Sequence, residues 1–304
     1  MSINCVQTDA RYVRAADHSV RQHLNQENAM PKTIALVTIH GMGDTPRDYY
    51  TEFYDVIKKS VGKTTWNKVI FKPLYYQDIL QGNQEAIFNR MRDQIDWMKL
   101  RKFLLYGFSD AASLEYKKDA VGSPYFLTQQ MIMQSMDEIF DEAGQQEIPV
   151  IVLAQSLGCQ VISSYIWDAQ QTSATVGVWS VPRADGVVDK SPKDNFRRMR
   201  SLQRLYTTGC NIPIFVSGHK KIEAISPPVP SFKWYNFFDE DDVLGWPLRP
   251  LSQSYDNLVE DISINAGGGV IGTIVKSWNP FSHGQYWTDS EVIGHLSSTI
   301  KQLA

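Results

Sequence analysis

Cysteine is scarce in this sequence, with Cys5, Cys159 and Cys210 as the three examples in 304 residues. An odd, scattered set of this kind supplies neither a disulfide framework nor the paired spacing of a zinc site, and it favours a reducing compartment. Charge of one sign is also lacking. Thirty basic against 33 acidic residues leave a formal net charge of −3, which is not the basic footprint of a nucleic-acid binder. Long uncharged apolar runs are missing, so no bilayer-spanning helix is expected. The opening stretch MSINCVQTDARYVRAADHSVRQHLNQENAM lacks the apolar core of a signal peptide, and the expectation is a cytoplasmic protein. Internal repeats and low-complexity tracts are absent as well. What is present, 43% hydrophobic, 12% aromatic and 21% charged residues, describes an ordinary globular chain long enough for a large core.

Residues 1–31 are polar up to Pro31 and are read as a peripheral arm, leaving 32–304 as one domain with insertions. TIALVTIHGMGD, 33–44, is a β-branched apolar run ended by glycines, as expected of a buried parallel strand entering a loop. RDYYTEFYDVIKKSVG follows with Tyr50, Phe53, Val56, Ile57 and Val61 at helical spacing, and KVIFKPLYY reads as a second strand. From about 78 to 118 a helical insertion is expected, with Phe88, Met91, Ile95 and Met98 forming an apolar stripe. A helix over about 128–143 precedes IPVIVLAQSLGCQVISSYI, 148–166, which reads as strand, sharp turn and helix. A Gly- and Pro-punctuated surface insertion is expected over about 172–200. LQRLYTTGCNIPIF and KWYNFFDEDD supply two further strands, and WTDSEVIGHLSSTIKQL a closing helix. Strands separated by helices predict an α/β fold with a mostly parallel central sheet covered on both faces.

In such a sheet, chemistry gathers beyond the carboxyl ends of the strands. Ser156 stands at the turn from the apolar strand to the next helix, flanked two residues away by Ala154 and Gly158. A serine in that position is held in a strained conformation that lifts its Oγ above the sheet, and the small neighbours relieve crowding. The competing reading of Ser156 is an ordinary helix N-cap. HGMGD, 40–44, closes the first strand with glycines that can aim N–H groups at a pocket. Backbone N–H groups of Leu157 and Met42 are therefore candidates for an oxyanion hole. His40 is read as a structural histidine of that loop. Late in the chain, FFDEDDVLGWPL offers Asp239, Glu240, Asp241 and Asp242 as acids. Asp241 best matches a D-x-V-x register and Asp242 is the runner-up. Of six histidines, His18 and His23 lie in the arm, His219 beside two lysines and His295 inside the last helix. His283, in NPFSHGQYW, remains as the candidate base, with Tyr286 and Trp287 beside it.

Two nucleotide-like spellings are rejected. GGGVIG, 267–272, fits G-x-G-x-x-G, but too little chain follows for a nucleotide-binding half; VGKTT, 61–65, would need a glycine where Ile57 stands. No cofactor or metal is expected. Asp93 and Asp96 dilute the basic face of Arg90, Arg92, Lys99, Arg101 and Lys102. The insertion is thus read as packed on the core in preference to a lipid-facing lid or membrane-surface helix.

Together TIHGMG, LAQSLG, the acidic strand end and the late loop histidine resemble the α/β-hydrolase superfamily, over most of the chain from about Thr33. The resemblance implies an eight-stranded, mostly parallel sheet, to which the helical insertion over about 78–118 is added in a lid-like position. It implies Ser156 as nucleophile, Asp241 as acid and His283 as base, acting on carboxylic esters or thioesters, lipid-like ones among them, with no cofactor. The expected partner is a small acyl ester. A catalytically silent binding protein of the same fold and an acyltransferase are the alternatives, and oligomeric state stays open.

Overall fold

A computed structural model describes residues 30–118, 120–171, 176–181, 185–266 and 285–304. Six strands run parallel in one sheet: β1 (Ile34–Ile39), β2 (Val69–Leu74), β3 (Val150–Gln155), β4 (Leu202–Thr208), β5 (Lys233–Phe238) and β6 (Val259–Ser263). Their order is β2-β1-β3-β4-β5-β6. Eight strands were implied by the resemblance, and among the described residues there are six. The principal helices are α1 (Thr51–Val61), α2 (Gly82–Met91), α3 (Met98–Glu115), α4 (Pro124–Glu142), α5 (Leu157–Gln170) and α6 (Ser290–Leu303).

Alternation along the strands sorts side chains between two apolar layers. Ala35, Val37, Ile39, Val150, Val152 and Ala154 pack with α4 and α5 residues such as Ile132, Met136, Ile162 and Ile166. Ile34, Leu36, Ile151 and Leu153 pack on the opposite face with Phe53 and Ile57 of α1 and Val292, Leu296 and Ile300 of α6. Both faces being covered is why β1 and β3 read as unbroken apolar runs.

The chain leaves β1 for β2 on one side and returns to β3 on the other. That reversal is a topological switch point, and the crevice outside the carboxyl ends of β1 and β3 is where such sheets hold ligands. Register brings the ends level: Ile39 pairs with Ala154, Ala154 with Thr207, Thr208 with Phe237 and Phe238 with Ser263. The residues just beyond, 40, 156, 209, 239 and 264, share one edge.

Two segments differ from the sequence expectation. The 78–118 insertion is not one amphipathic stripe: of its four positions Phe88 is buried, while Met91 and Met98 are 39% and 43% exposed. A 3-10 turn at Arg92–Gln94 and a left-handed Trp97, φ 59°, separate α2 from α3 and rotate the pattern. What α3 buries instead is Tyr106, Gly107, Asp110 and Leu114. The 172–200 segment is anchored inward, with Val178, Trp179, Phe196 and Met199 buried among its described residues. Arg197, 3% exposed, ties it to α4 by an ion pair with Asp137 and braces it internally by one with Asp185, at 2.6 Å each.

Candidate active site

β3 ends at Gln155 and the chain turns through Ser156 at φ 51°, ψ −123° into α5. A non-glycine residue held there costs on the order of 1–3 kcal/mol and persists only where its surroundings over-determine it. They do so here: Ser156 N donates to Thr208 O at 3.0 Å, and Cys159 N donates to Ser156 O at 2.9 Å. Although Ser156 occupies the N-cap position of α5, its side chain makes no capping hydrogen bond. Its Oγ is buried and has no hydrogen-bond partner among the described residues. The ordinary-cap reading therefore fails. The crowding that Gly158 relieves lies against β1. A Cβ there would stand 2.4 Å from His40 O and 2.9 Å from Ile39 O.

The glycine loop abuts this serine. A Cβ on Gly41 would meet Ser156 Cβ at 2.8 Å and Ser156 Oγ at 3.5 Å. His40 is buried and stacked on Tyr76, with ring centroids 4.2 Å apart. Its Nε2 accepts from Tyr76 N at 3.2 Å, which leaves Nδ1 as the protonated nitrogen that donates to Gly41 O at 2.7 Å. Burial holds this imidazole neutral, its pKa lowered from 6.5 to about 4. His40 is thus a loop-building histidine, as its position after β1 suggested. Tyr76 Oη also donates to Gly41 O, at 3.0 Å. Because C=O and N–H point oppositely across a trans peptide, fixing the Gly41 carbonyl fixes the direction of the Met42 N–H.

Asn211, which follows β4 and is buried, pins the other side of the elbow. With its amide oriented to match both neighbours, Nδ2 donates to Ser156 O at 2.8 Å and Oδ1 accepts from Leu157 N at 3.3 Å. Leu157 N–H thus has a long, weak bond in the resting site that a stronger acceptor can replace. Within LQRLYTTGCNIPIF the asparagine carries no local signal that sets it apart from the rest of the strand and its end. Beside it, Cys159 and Cys210 are free and buried, and burial pushes the Cys159 thiol well up. Among the described residues no group of three or more His, Cys, Asp or Glu is placed to hold a metal, and no helix is long and apolar enough to cross a membrane.

The acids beyond β5 divide by burial. Asp241 is exposed, and its N–H donates to Asp239 Oδ1 at 2.9 Å. Asp239 is buried, and its Oδ2 accepts from Ala266 N at 2.9 Å, so backbone N–H groups hold both its oxygens. Asp242, also buried, accepts from Leu244 N at 3.0 Å and from Tyr286 Oη at 2.8 Å. Its turn touches the segment after β4 through Trp246 N, which donates to Cys210 O at 2.9 Å. Asp241 thus faces solvent while the runner-up faces inward. His283 and the 267–272 glycines lie outside the described residues. Tyr286 and Trp287 are both buried, and Trp287 Nε1 donates at 3.2 Å to the Oγ1 of Thr208, the residue whose carbonyl accepts from Ser156 N.

A parallel sheet with a switch point between β1 and β3, and a strained serine on the strand-to-helix turn beside it, is the α/β-hydrolase fold. No protein-family model and no curated protein matches the sequence. Solved structures that resemble the chain include the protein Atu2452 of unknown function from Agrobacterium tumefaciens, with 12% identity over 91% of this chain and 94% of that one and a TM-score of 0.44. Esterase PE8 has 9% identity over 91% and 95%, TM-score 0.44. A cutinase-like protein from Cryptococcus sp. has 8% identity over 91% and 94%, TM-score 0.36.

Proposed function

We propose that the protein is a serine hydrolase of carboxylic esters or thioesters. The observation that carries this reading is Ser156 itself: a left-handed non-glycine serine at the switch point, its Oγ without a partner among the described residues and Gly41 packed against it. Such strain at a reactive hydroxyl is what a nucleophile elbow requires and what a structural serine does not.

In this mechanism Ser156 Oγ attacks the acyl carbonyl carbon while His283 takes the hydroxyl proton. The carbonyl oxygen becomes an oxyanion bound by the N–H groups of Met42 and Leu157, the latter exchanging its weak bond to Asn211 for a charged acceptor. Collapse expels the alcohol or thiol, which leaves with the proton from His283, and forms an acyl-serine. Water, deprotonated by the same histidine, then releases the carboxylic acid and restores Ser156. The acid that orients the imidazole must be shielded from solvent to act strongly. That requirement favours Asp242 over the exposed Asp241.

The test is labelling by a fluorophosphonate probe together with hydrolysis of p-nitrophenyl esters of increasing acyl length. Ser156→Ala is expected to abolish labelling and lower kcat by a factor on the order of 10⁶, as for other triad nucleophiles. His283→Ala is expected to match it, and Asp242→Asn to cost on the order of 10⁴ against little for Asp241→Asn. Wild type that neither labels nor turns over any ester refutes the reading. Turnover that survives Ser156→Ala removes the nucleophile assignment.

A further inference from the structure

The helical insertion has a residue set that the reaction above does not use. Asp110, on α3, is fully buried. A buried carboxylate far along the chain from the catalytic residues needs an explanation, since its desolvation opposes folding unless donors surround it. Three do. Asp110 Oδ2 accepts from Gly43 N at 3.2 Å and lies 3.5 Å from Gln77 Nε2, and Oδ1 accepts from Gln84 Nε2 at 2.9 Å. The other polar group of Gly43 is held from the same insertion: Gln81 Nε2 donates to Gly43 O at 2.7 Å. Gly43 itself is left-handed, φ 102°, so these bonds secure a backbone conformation that the loop does not impose alone. Two neighbouring contacts tie the same elements together. Met42 Sδ would lie 2.8 Å from a Cβ on Gly107 of α3, and Asp44 pairs with Lys102.

We infer that Asp110 and Gln81 are positioning residues for the oxyanion loop, holding both polar groups of Gly43 so that the preceding N–H, that of Met42, stays aimed at the reacting carbonyl. The insertion thereby completes the site from behind and sets its catalytic rate. This inference rests on the serine-hydrolase reading. The Gly41–Met42 peptide is held through the Gly41 carbonyl by His40 and Tyr76, the Met42–Gly43 peptide through the Gly43 N–H by Asp110, and the Gly43–Asp44 peptide through the Gly43 carbonyl by Gln81. Loss of the Asp110 side leaves the Met42 N–H anchored through the Gly41 carbonyl alone, and a donor displaced by a fraction of an ångström loses much of its value to a developing oxyanion.

The experiment measures kcat and KM for p-nitrophenyl butyrate, normalised to sites counted by end-point fluorophosphonate labelling, with the inhibition constant of a trifluoromethyl ketone that forms the same oxyanion. Asp110→Ala is expected to lower kcat per titrated site about 10-fold or more, with KM within about two-fold and the ketone weakened in parallel. Asp110→Asn is expected to retain most of the rate. Its Oδ1 can still accept from Gly43, and once the Gln84 amide turns over its Nδ2 can donate to Gln84 Oε1, which has no hydrogen-bond partner among the described residues. Folded Asp110→Ala with an unchanged kcat per site overturns the inference, as does an Asp110→Asn variant as slow as the alanine. If Asp110→Ala does not fold, the half-buried Gln81→Leu decides by the same readouts, a slower kcat per site supporting the inference and an unchanged one refuting it. Wild type without Ser156-dependent turnover removes the hydrolase reading and this inference with it. Failure confined to the Asp110 and Gln81 variants removes only the inference.

Discussion

Replacing Gly158 by alanine is expected to destabilise the protein, although glycine is a poor helix residue and Gly158 lies inside α5. The new Cβ would fall 2.4 Å from His40 O and 2.9 Å from Ile39 O, both backbone atoms at the end of a central strand. Neither can swing aside as a flexible side chain would, so α5 or the end of β1 must shift by most of an ångström. Overpacking of this kind costs about 1–3 kcal/mol, and the upper end applies where both obstacles are backbone. Relief of glycine's helix penalty returns about 0.5–1 kcal/mol. The net loss is about 2 kcal/mol. Gly294, exposed in α6 and with nothing within 4 Å of its would-be Cβ, supplies the internal control. There the same substitution gains about 0.5–1 kcal/mol with no opposing term. Thermal unfolding followed by circular dichroism would read the pair. At about 2 °C per kcal/mol for a chain of this size, Gly158→Ala falls by about 4 °C and Gly294→Ala rises by 1–2 °C. The shift also moves the His40 carbonyl and the loop that follows, so ester turnover falls in the first variant and not in the second. A Gly158→Ala protein as stable as Gly294→Ala would refute the claim that the elbow's second small residue exists for the approach of α5 to β1.

His40 sets an acid limit on stability. Its folded pKa of about 4 against 6.5 unfolded means that below pH 6.5 the unfolded chain takes up a proton the folded one refuses, so stability falls from pH 6.5 toward 4. The contribution lost between pH 7 and 5 is about 2 kcal/mol. Asp110, raised by burial to about 6, works the other way, gaining stability as pH falls through that value. The difference in urea midpoints between wild type and His40→Asn isolates the histidine, and parallel midpoint-pH curves would refute the assignment. Arg197 is buried but its partners are not, Asp137 being 22% and Asp185 42% exposed, so water takes up part of the loss and Arg197→Met is expected to cost about 1–2 kcal/mol in urea unfolding. An unchanged midpoint would mean that the pairs offset only their own desolvation.

β1, β3 and the helices on either side were legible because their signal is local: a strand buried on both faces is an apolar run, and a turn into a helix shows as small residues around a serine. β6 was missed for the converse reason. Among the described residues it pairs on one side only, with β5, and its sequence VEDIS has no apolar run. Its Asp261 is there to accept from Leu248 N, Arg249 N and Asn236 Nδ2, a role set by residues elsewhere in the chain. The same holds for Asp110, which reads as one more solvated acid on a helix until Gly43, 67 residues earlier, is brought beside it. The crowded acids make the point most sharply. Within DEDD every position has the same chemistry, and a D-x-V-x register selects Asp241 from sequence alone. Which carboxylate turns inward is decided by the turn itself, Asp242 N donating to Asp239 O at 3.1 Å, and by Tyr286 Oη, 44 residues later, meeting Asp242 at 2.8 Å. Neither bond leaves a mark on the four letters, so the distinction between a solvent-facing carboxylate and one able to orient an imidazole belongs to the tertiary structure. It is resolved by comparing Asp241→Asn with Asp242→Asn.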